Sequence, residues 1–278
     1  MVRYREIAPS ARMRPYVACF WILEDDGQSC TPQRVIPDGR PELILNWKEP
    51  FQVCETGHWH KQTRAFLAGQ LEGPLLLRPN GPAQMLGVRF HPHGAALLFG
   101  CPMRELTGRF TAVEDFSPRF SRRLNEILEV PDPISSVEDA LTSVISSRPG
   151  DPLIAEVVQR ITLAKGAIDL AELARQLGLG IRQLERRFLM EVGLPPKLFC
   201  RIQRLNRIFP LLDERPANWV ETAIECGYYD QAHLIRECRS LAGTTPAVLL
   251  ADEADFARHF YMRGPVSHLS NTARAAAL

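Results

Sequence analysis

Apolar residues in the first hundred positions come in short runs. Tyr16 to Leu23, Leu43 to Trp47, Phe66 to Ala68, Leu75 to Leu77 and Met85 to Phe90 are set apart by turns rich in Gly and Pro. Those turns include Pro37-Asp38-Gly39-Arg40-Pro41, Glu72-Gly73-Pro74 and Pro79-Asn80-Gly81-Pro82. Runs this short at close intervals predict an antiparallel barrel or sandwich rather than βαβ units. From Gly94 the period lengthens. Gly94 to Phe99 and Ser117 to Leu128 predict helices, and Val137, Leu141, Val144 and Ile145 recur at helical spacing. The Pro- and Gly-bearing stretch Ser146 to Pro152 marks a boundary, after which the pattern is helical to about Leu250. The small, polar, Ala-rich end of residues 251–278 predicts a partly disordered tail.

The helical half repeats. Ala174 and Gly178 match Ala223 and Gly227. After one inserted residue, Leu184, Arg186, Gly193 and Pro196 match Leu234, Arg236, Gly243 and Pro246. In the first copy Asp169 can cap a helix carrying Leu170, Leu173, Ala174 and Leu177, and Gly178 can take the positive φ of a sharp turn. A second helix begins near Ile181 with Leu184 and Phe188 inward and Arg182, Glu185 and Arg186 outward. In the second copy Asn218 caps Trp219 to Cys226, Gly227 turns the chain, and Asp230 caps Gln231 to about Leu241. There Gln231, Ala232, Ile235 and Arg236 face outward. One such hairpin is compatible with a plain solvated helix pair. Two copies with the same turn and exit residues point to paired helix-turn-helix units, joined by a helix from about Pro196 to Leu212.

The stretch Asp169 to Leu179 resembles the first half of an AraC/XylS-type DNA-binding domain. Glu225 to Glu237, followed by Leu241-Ala242-Gly243-Thr244-Thr245-Pro246, resembles its second half more closely. The resemblance spans about Ile168 to Leu249. It implies seven helices whose two recognition helices enter successive major grooves, about 34 Å apart. A weaker likeness joins Tyr16 to Trp21, Arg34 to Gly39, Leu86 to Phe90 and Leu106-Thr107 to a sensor-side domain that precedes some members of that family. The expected fold is therefore α+β in two domains: a β-rich barrel- or sandwich-like domain over residues 1–150, helical from about 94 to 146, and an all-α double helix-turn-helix domain over 151–250.

Three residues depart from the family pattern. Gly180 stands where Ser or Thr usually caps the first recognition helix. Cys238 replaces a Phe, a loss of core volume that Tyr228, Tyr229 or Trp219 would have to fill. Pro210 falls inside the connecting helix and predicts a kink or early end near Asn206 to Phe209.

Composition sharpens this picture where charge is segregated. The 278 residues are 45% hydrophobic with a net charge of +1, so wholesale disorder and a uniformly basic coat are excluded. Between Ile181 and Arg207, however, seven basic residues face only Glu185 and Glu191. Phosphate contacts give DNA affinity its salt dependence, a slope of about −0.9 per phosphate neutralised. Arg187, Lys197, Arg201 and Arg204 are the phosphate candidates. Arg182, Glu185, Arg186, Gln231, Ala232, Ile235 and Arg236 are the base-reading ones: Arg suits guanine, Gln adenine, Glu cytosine, and Ala or Ile a thymine methyl.

The expected function is sequence-specific, DNA-binding transcriptional regulation under an N-terminal sensor, without catalysis and without a cofactor. Double-stranded DNA is the partner; RNA polymerase, a second copy of the chain and an unidentified small-molecule or protein effector complete the candidates. The absence of a long apolar run or a leader-like start suggests a cytoplasmic protein with no membrane partner. Seven scattered cysteines without a C-x-x-C pair fit reduced thiols. Two contrasting readings are a metal-dependent cupin-like enzyme, from His58-Trp59-His60 and His91-Pro92-His93, and a thiol redox sensor using Cys54 or Cys101. Each histidine pair lacks a convergent third ligand in sequence. Cysteine-based alkyl transfer lacks an activating neighbour. Trp21, Trp47 and Trp59 are candidates to line an apolar ligand pocket.

Overall fold

A computed structural model describes residues 3–28, 31–127, 133–214 and 218–251. The strands are β1 (Arg3–Ile7), β2 (Val17–Asp25), β3 (Gln33–Val35), β4 (Glu42–Asn46), β5 (Gln52–Glu55), β6 (His58–Lys61), β7 (Ala65–Ala68), β8 (Leu75–Arg78), β9 (Ala83–Phe90) and β10 (Phe110–Ala112). They form a six-stranded antiparallel sheet, β1-β2-β9-β4-β7-β10, and a four-stranded one, β3-β8-β5-β6. The five expected apolar runs are β2, β4, β7, β8 and β9. The remaining strands are short or polar and carry little periodicity.

The larger sheet is covered on both faces, which explains why Tyr16 to Leu23 reads as an almost unbroken apolar run. Leu43, Leu45, Leu86, Val88 and Phe90 pack toward α1 (Gly94–Phe99), α3 (Pro118–Ile127) and α4 (Pro133–Thr142); a short α2 (Val113–Phe116) precedes α3. Residues one step away in register, Trp21, Ile44 and Met85, face the smaller sheet and meet Phe51 and Phe66. The period of two along each strand thus sorts side chains between two cores. The expectation of a barrel- or sandwich-like antiparallel domain with helices is met by this two-sheet arrangement.

After the Pro-Gly stretch come α5 (Pro152–Leu163), α6 (Leu170–Gln176), α7 (Ile181–Val192), α8 (Pro196–Asn206), α9 (Ile208–Glu214), α10 (Trp219–Glu225), α11 (Gln231–Ala242) and α12 (Pro246–Ala251). One core runs through residues 154–249 and includes Leu173, Leu184, Phe188, Phe199, Leu234 and Cys238. The predicted break in the connecting helix is present. α8 ends at Asn206, Arg207 forms a turn, and Pro210 occupies the first turn of α9, where its missing N–H has no intrahelical partner to lose. Tyr228 is buried and Trp219 packs against the same core as Cys238, whereas Tyr229 is 86% exposed. The expected tail lies beyond residue 251, outside the described residues.

Asp151 fixes the start of the helical half. Its carboxylate accepts from the backbone N–H of Leu153 and Ile154 and is gripped by Arg187 of α7 through two bonds of 2.6 Å. Burial alone would push this carboxyl up, but the Arg187 guanidinium and the two amides hold it below the usual range. A depressed folded-state pKa contributes stability above the unfolded value near 3.9, and that contribution is lost as pH falls through the folded value. Asp151→Asn should therefore lower the unfolding midpoint at neutral pH, and the gap to the parent chain should close as urea titrations are repeated toward pH 3. A gap unchanged across that range would mean that the charge at Asp151 contributes nothing.

Candidate nucleic-acid interface

Two hairpins of the same construction present the candidate readers. Asp169 accepts from the N–H of Ala171 and Glu172 at the start of α6; Asn218 accepts from that of Glu221 at the start of α10. Both first helices place a buried small residue, Ala174 or Ala223, at the crossing point. Both turns then run through a glycine of positive φ, +67° at Gly178 and +78° at Gly227. Each is closed by the same bond, from Leu179 N–H to Ala174 C=O and from Tyr228 N–H to Ala223 C=O, 2.9 Å in each. A residue with a Cβ would be strained at either turn, which is the physical reason the repeat keeps glycine there.

The second helices bury equivalent positions, Leu184 and Phe188 in α7 and Leu234 and Cys238 in α11. On α7, Arg182, Glu185 and Arg186 are exposed. On α11, Ala232 and Arg236 are exposed while Gln231 and Ile235 are half-buried. Among the described residues no ion pair occupies Arg182, Glu185, Arg186 or Arg236, so their charged groups remain open to a ligand. Asp230 starts α11 with a 2.6 Å bond from the His233 N–H.

The start of α7 differs. Gly180 has extended backbone (φ −72°) and no side chain to accept from the first turn, and a Cβ added there meets nothing within 4 Å. Gly180→Ser should therefore supply a cap and reduce unfolded-state freedom. The expected gain is about 0.5 kcal/mol, read as a higher urea midpoint at unchanged slope.

The four phosphate candidates are placed differently. Lys197 is exposed at the start of α8. Arg187 is held by Asp151. Arg201 makes two bonds to Glu237 (2.8 and 3.0 Å) and one to Ser240, pinning α8 to α11. Arg204 lies 5.7 Å over the Tyr228 ring, with its Nε buried. Arg201 and Arg204 thus tie α8 to the second unit, while Arg187 ties α7 to the start of α5. Sequence reasoning missed Val220, Ile224 and Tyr229, exposed apolar residues lining a shallow groove with Gln231, Ala232 and Ile235. The i, i+4 spacing of Val220 and Ile224 on α10 was the available signal.

A second site lies in the β domain. A cavity with about 100 Å³ of free volume separates the two sheets. Trp21 lines it, as expected of a pocket tryptophan; Trp47 faces a different groove, and Trp59 packs under the Arg78 guanidinium at 4.3 Å. At its polar end Arg89 bonds to Glu42 Oε1 (2.7 Å) and Glu6 (3.3 Å) and faces Asp38 at 3.7 Å. Desolvation raises the Asp38 carboxyl above its ordinary value, in spite of the Arg89 charge. This constellation was not read from sequence, because Asp38 and Arg40 belonged to a turn signal and Arg89 to a strand.

The cavity wall is also a contact to the helical domain. Within residues 34–40, the Arg34 guanidinium donates to the Ala242 carbonyl at the end of α11 (3.1 Å), Ile36 enters the helical core, and the Asp38 carbonyl accepts from Gln203 of α8 (3.4 Å). Gly39 lies so close to Phe199 that a Cβ there would come within 2.6 Å of the ring. On the first unit, Thr107 donates to the Gly193 carbonyl (2.5 Å) and Arg148 pairs with Glu191 (2.6 Å).

His58 and His60 lie on the exposed strand β6, and His91 contacts the Arg14 carbonyl. Burial pushes His93 down to about 4. Among the described residues no group of three or more His, Cys, Asp or Glu side chains is placed to hold a metal ion, and no helix is long and apolar enough to cross a membrane.

Residues 173–252 match a helix-turn-helix domain, and residues 5–112 match a domain of unknown function (DUF6597). No curated protein sequence matches the chain. Among solved structures, the chain is similar to ToxT from Vibrio cholerae at 10% identity, with 84% of this chain and 98% of that one covered and a TM-score of 0.44. Unsaturated fatty acid-bound ToxT from Vibrio cholerae strain SCE256 is similar at 14% identity, covering 83% and 94%, with a TM-score of 0.46. The AraC-like transcriptional activator CuxR is similar at 14% identity, covering 75% and 86%, with a TM-score of 0.30. The helix-turn-helix match over residues 173–252 spans both units, which are built on one cap-turn-helix plan, so this part of the chain is a helix-turn-helix domain.

Proposed function

We propose that the protein reads two successive major grooves of an operator, using the outward residues of α7 and α11, and that the occupant of the β-domain cavity modulates this reading. The observation that carries the proposal is the doubled geometry. Arg182, Glu185 and Arg186 on one helix, and Ala232 and Arg236 on the other, are the side chains each unit exposes in front of an identically closed turn. Residues 34–40, which both line the cavity and touch α8 and α11, supply the route from sensor to reader.

Selection of bound fragments from a random DNA pool, at fixed and stated salt, tests the reading. Two half-sites separated by about one helical turn are expected; enrichment of a single half-site, or of none, would refute it. Arg236→Ala should relax preference at one base position by about 1–3 kcal/mol while leaving other positions intact. A uniform loss across all fragments, with a shallower salt dependence, would instead assign Arg236 to a phosphate.

A further inference from the structure

The cavity between the sheets has one charged end and one apolar end. The wall away from Arg89 includes Phe66, Phe110, Leu75, Leu77 and Met85, with the Trp21 indole lying across Gly87 so closely that a Cβ at that glycine would overlap it. At the charged end three carboxylates, Glu6, Asp38 and Glu42, surround Arg89, and Arg40 is the second cation of the lining. Among the described residues three carboxylates thus meet two guanidinium groups at this end of the cavity, where an uncompensated charge is costly.

The hydrogen-bond positions left open point the same way. Glu42 Oε1 is already occupied by Arg89 Nε and by the Trp21 Nε1–H at 3.1 Å, and Asp38 Oδ1 accepts from the Arg40 backbone N–H. Among the described residues no hydrogen bond reaches Glu42 Oε2 or Asp38 Oδ2. Both are acceptors, so a ligand seated against them must bring donors. The free volume admits a single ring or a short branched chain.

We propose that this cavity binds a small organic ammonium with an apolar or aryl body, its ammonium group donating to Asp38 and Glu42 and its body packing against Trp21, Phe66 and Phe110. A cation over these rings gains further attraction from their faces. The proposal rests on the reading of the β domain as the sensor and supplies the chemistry of its signal.

The test uses the full chain and matched probes of one size: benzylamine, benzyl alcohol and benzoate. The unfolding midpoint is followed at neutral pH as each is titrated into the millimolar range. Benzylamine should raise the midpoint by several degrees in a saturable way, and the alcohol and the acid should not. Asp38→Asn keeps the acceptor for the Arg40 amide while removing the charge. It should fold, with its own midpoint recorded without ligand, and bind benzylamine about tenfold more weakly. Benzoate binding in preference to benzylamine would overturn the proposal, assigning the site to an anion through Arg40. A midpoint indifferent to all three, or an undiminished response in Asp38→Asn, would overturn it as well. DNA selection by the same protein is read separately, so failure here leaves the operator reading standing.

Discussion

Arg89→Met is expected to cost about 3–5 kcal/mol of stability at neutral pH, the range measured when one partner of a buried ion pair is removed. The Arg89 side chain is 9% exposed and holds Glu42 at 2.7 Å, Glu6 at 3.3 Å and Asp38 at 3.7 Å. Methionine fills similar volume, so the loss is electrostatic rather than a cavity effect. Three carboxylates from β1, β4 and the turn before β4 would face one another across a dry wall. Burial already pushes Asp38 up with the guanidinium present, and without it the carboxyl must rise further. A folded-state pKa raised above the unfolded one is favourable below the unfolded value and becomes a penalty as pH rises through the folded value. The deficit of Arg89→Met should therefore shrink as urea titrations move from pH 8 toward pH 4. Combining it with Asp38→Asn and Glu42→Gln should recover much of the loss, since neutral groups need no counter-charge. A variant as stable as the parent at pH 7, or a deficit that ignores pH, would show that the cluster is not the keystone of this sheet.

The helical half was legible because its constraints are local. Caps at Asp169, Asn218 and Asp230, turns at Gly178 and Gly227, and the break before Pro210 each depend on residues within a few positions of one another. The inward positions Leu184, Phe188, Leu234 and Cys238 followed from helical periodicity alone. In the β domain the long strands were visible, but β1, β3 and β10 were not. Their residues become strand-like only by pairing with β2, β8 and β7. The cavity was hidden for the same reason. Asp38 and Arg89 are 51 positions apart in the sequence, and nothing in either neighbourhood signals that antiparallel pairing of β4 with β9 brings them together. Base-reading candidates were identifiable as outward residues, whereas the ion pairs that engage Arg187 and Arg201 join elements far apart in the chain.

Phe199→Ala is expected to cost about 3–5 kcal/mol and, beyond that, to uncouple the two halves of the molecule. Phe199 is fully buried near the start of α8, its ring 5.6 Å from that of Phe188, an inward residue of α7. Its other edge is covered by Gly39, whose carbonyl is in turn held by Gln70 at 3.0 Å. One ring therefore contacts α7 and the segment that lines the cavity at once. Leu173→Ala is the appropriate comparison, because Leu173 is equally buried in the same helical core but belongs to α6. Its truncation should cost about 2–5 kcal/mol while leaving the contact with residues 34–40 intact. Hydrogen exchange separates the two outcomes. Phe199→Ala should speed exchange both in α8 and at residues 34–40, and should broaden or split thermal unfolding, because the sandwich and the helical half lose their shared element. Leu173→Ala should speed exchange in the helical half alone. If the two variants behave alike, Phe199 is an ordinary core residue and the route from cavity to reader must pass instead through Arg34 and the end of α11.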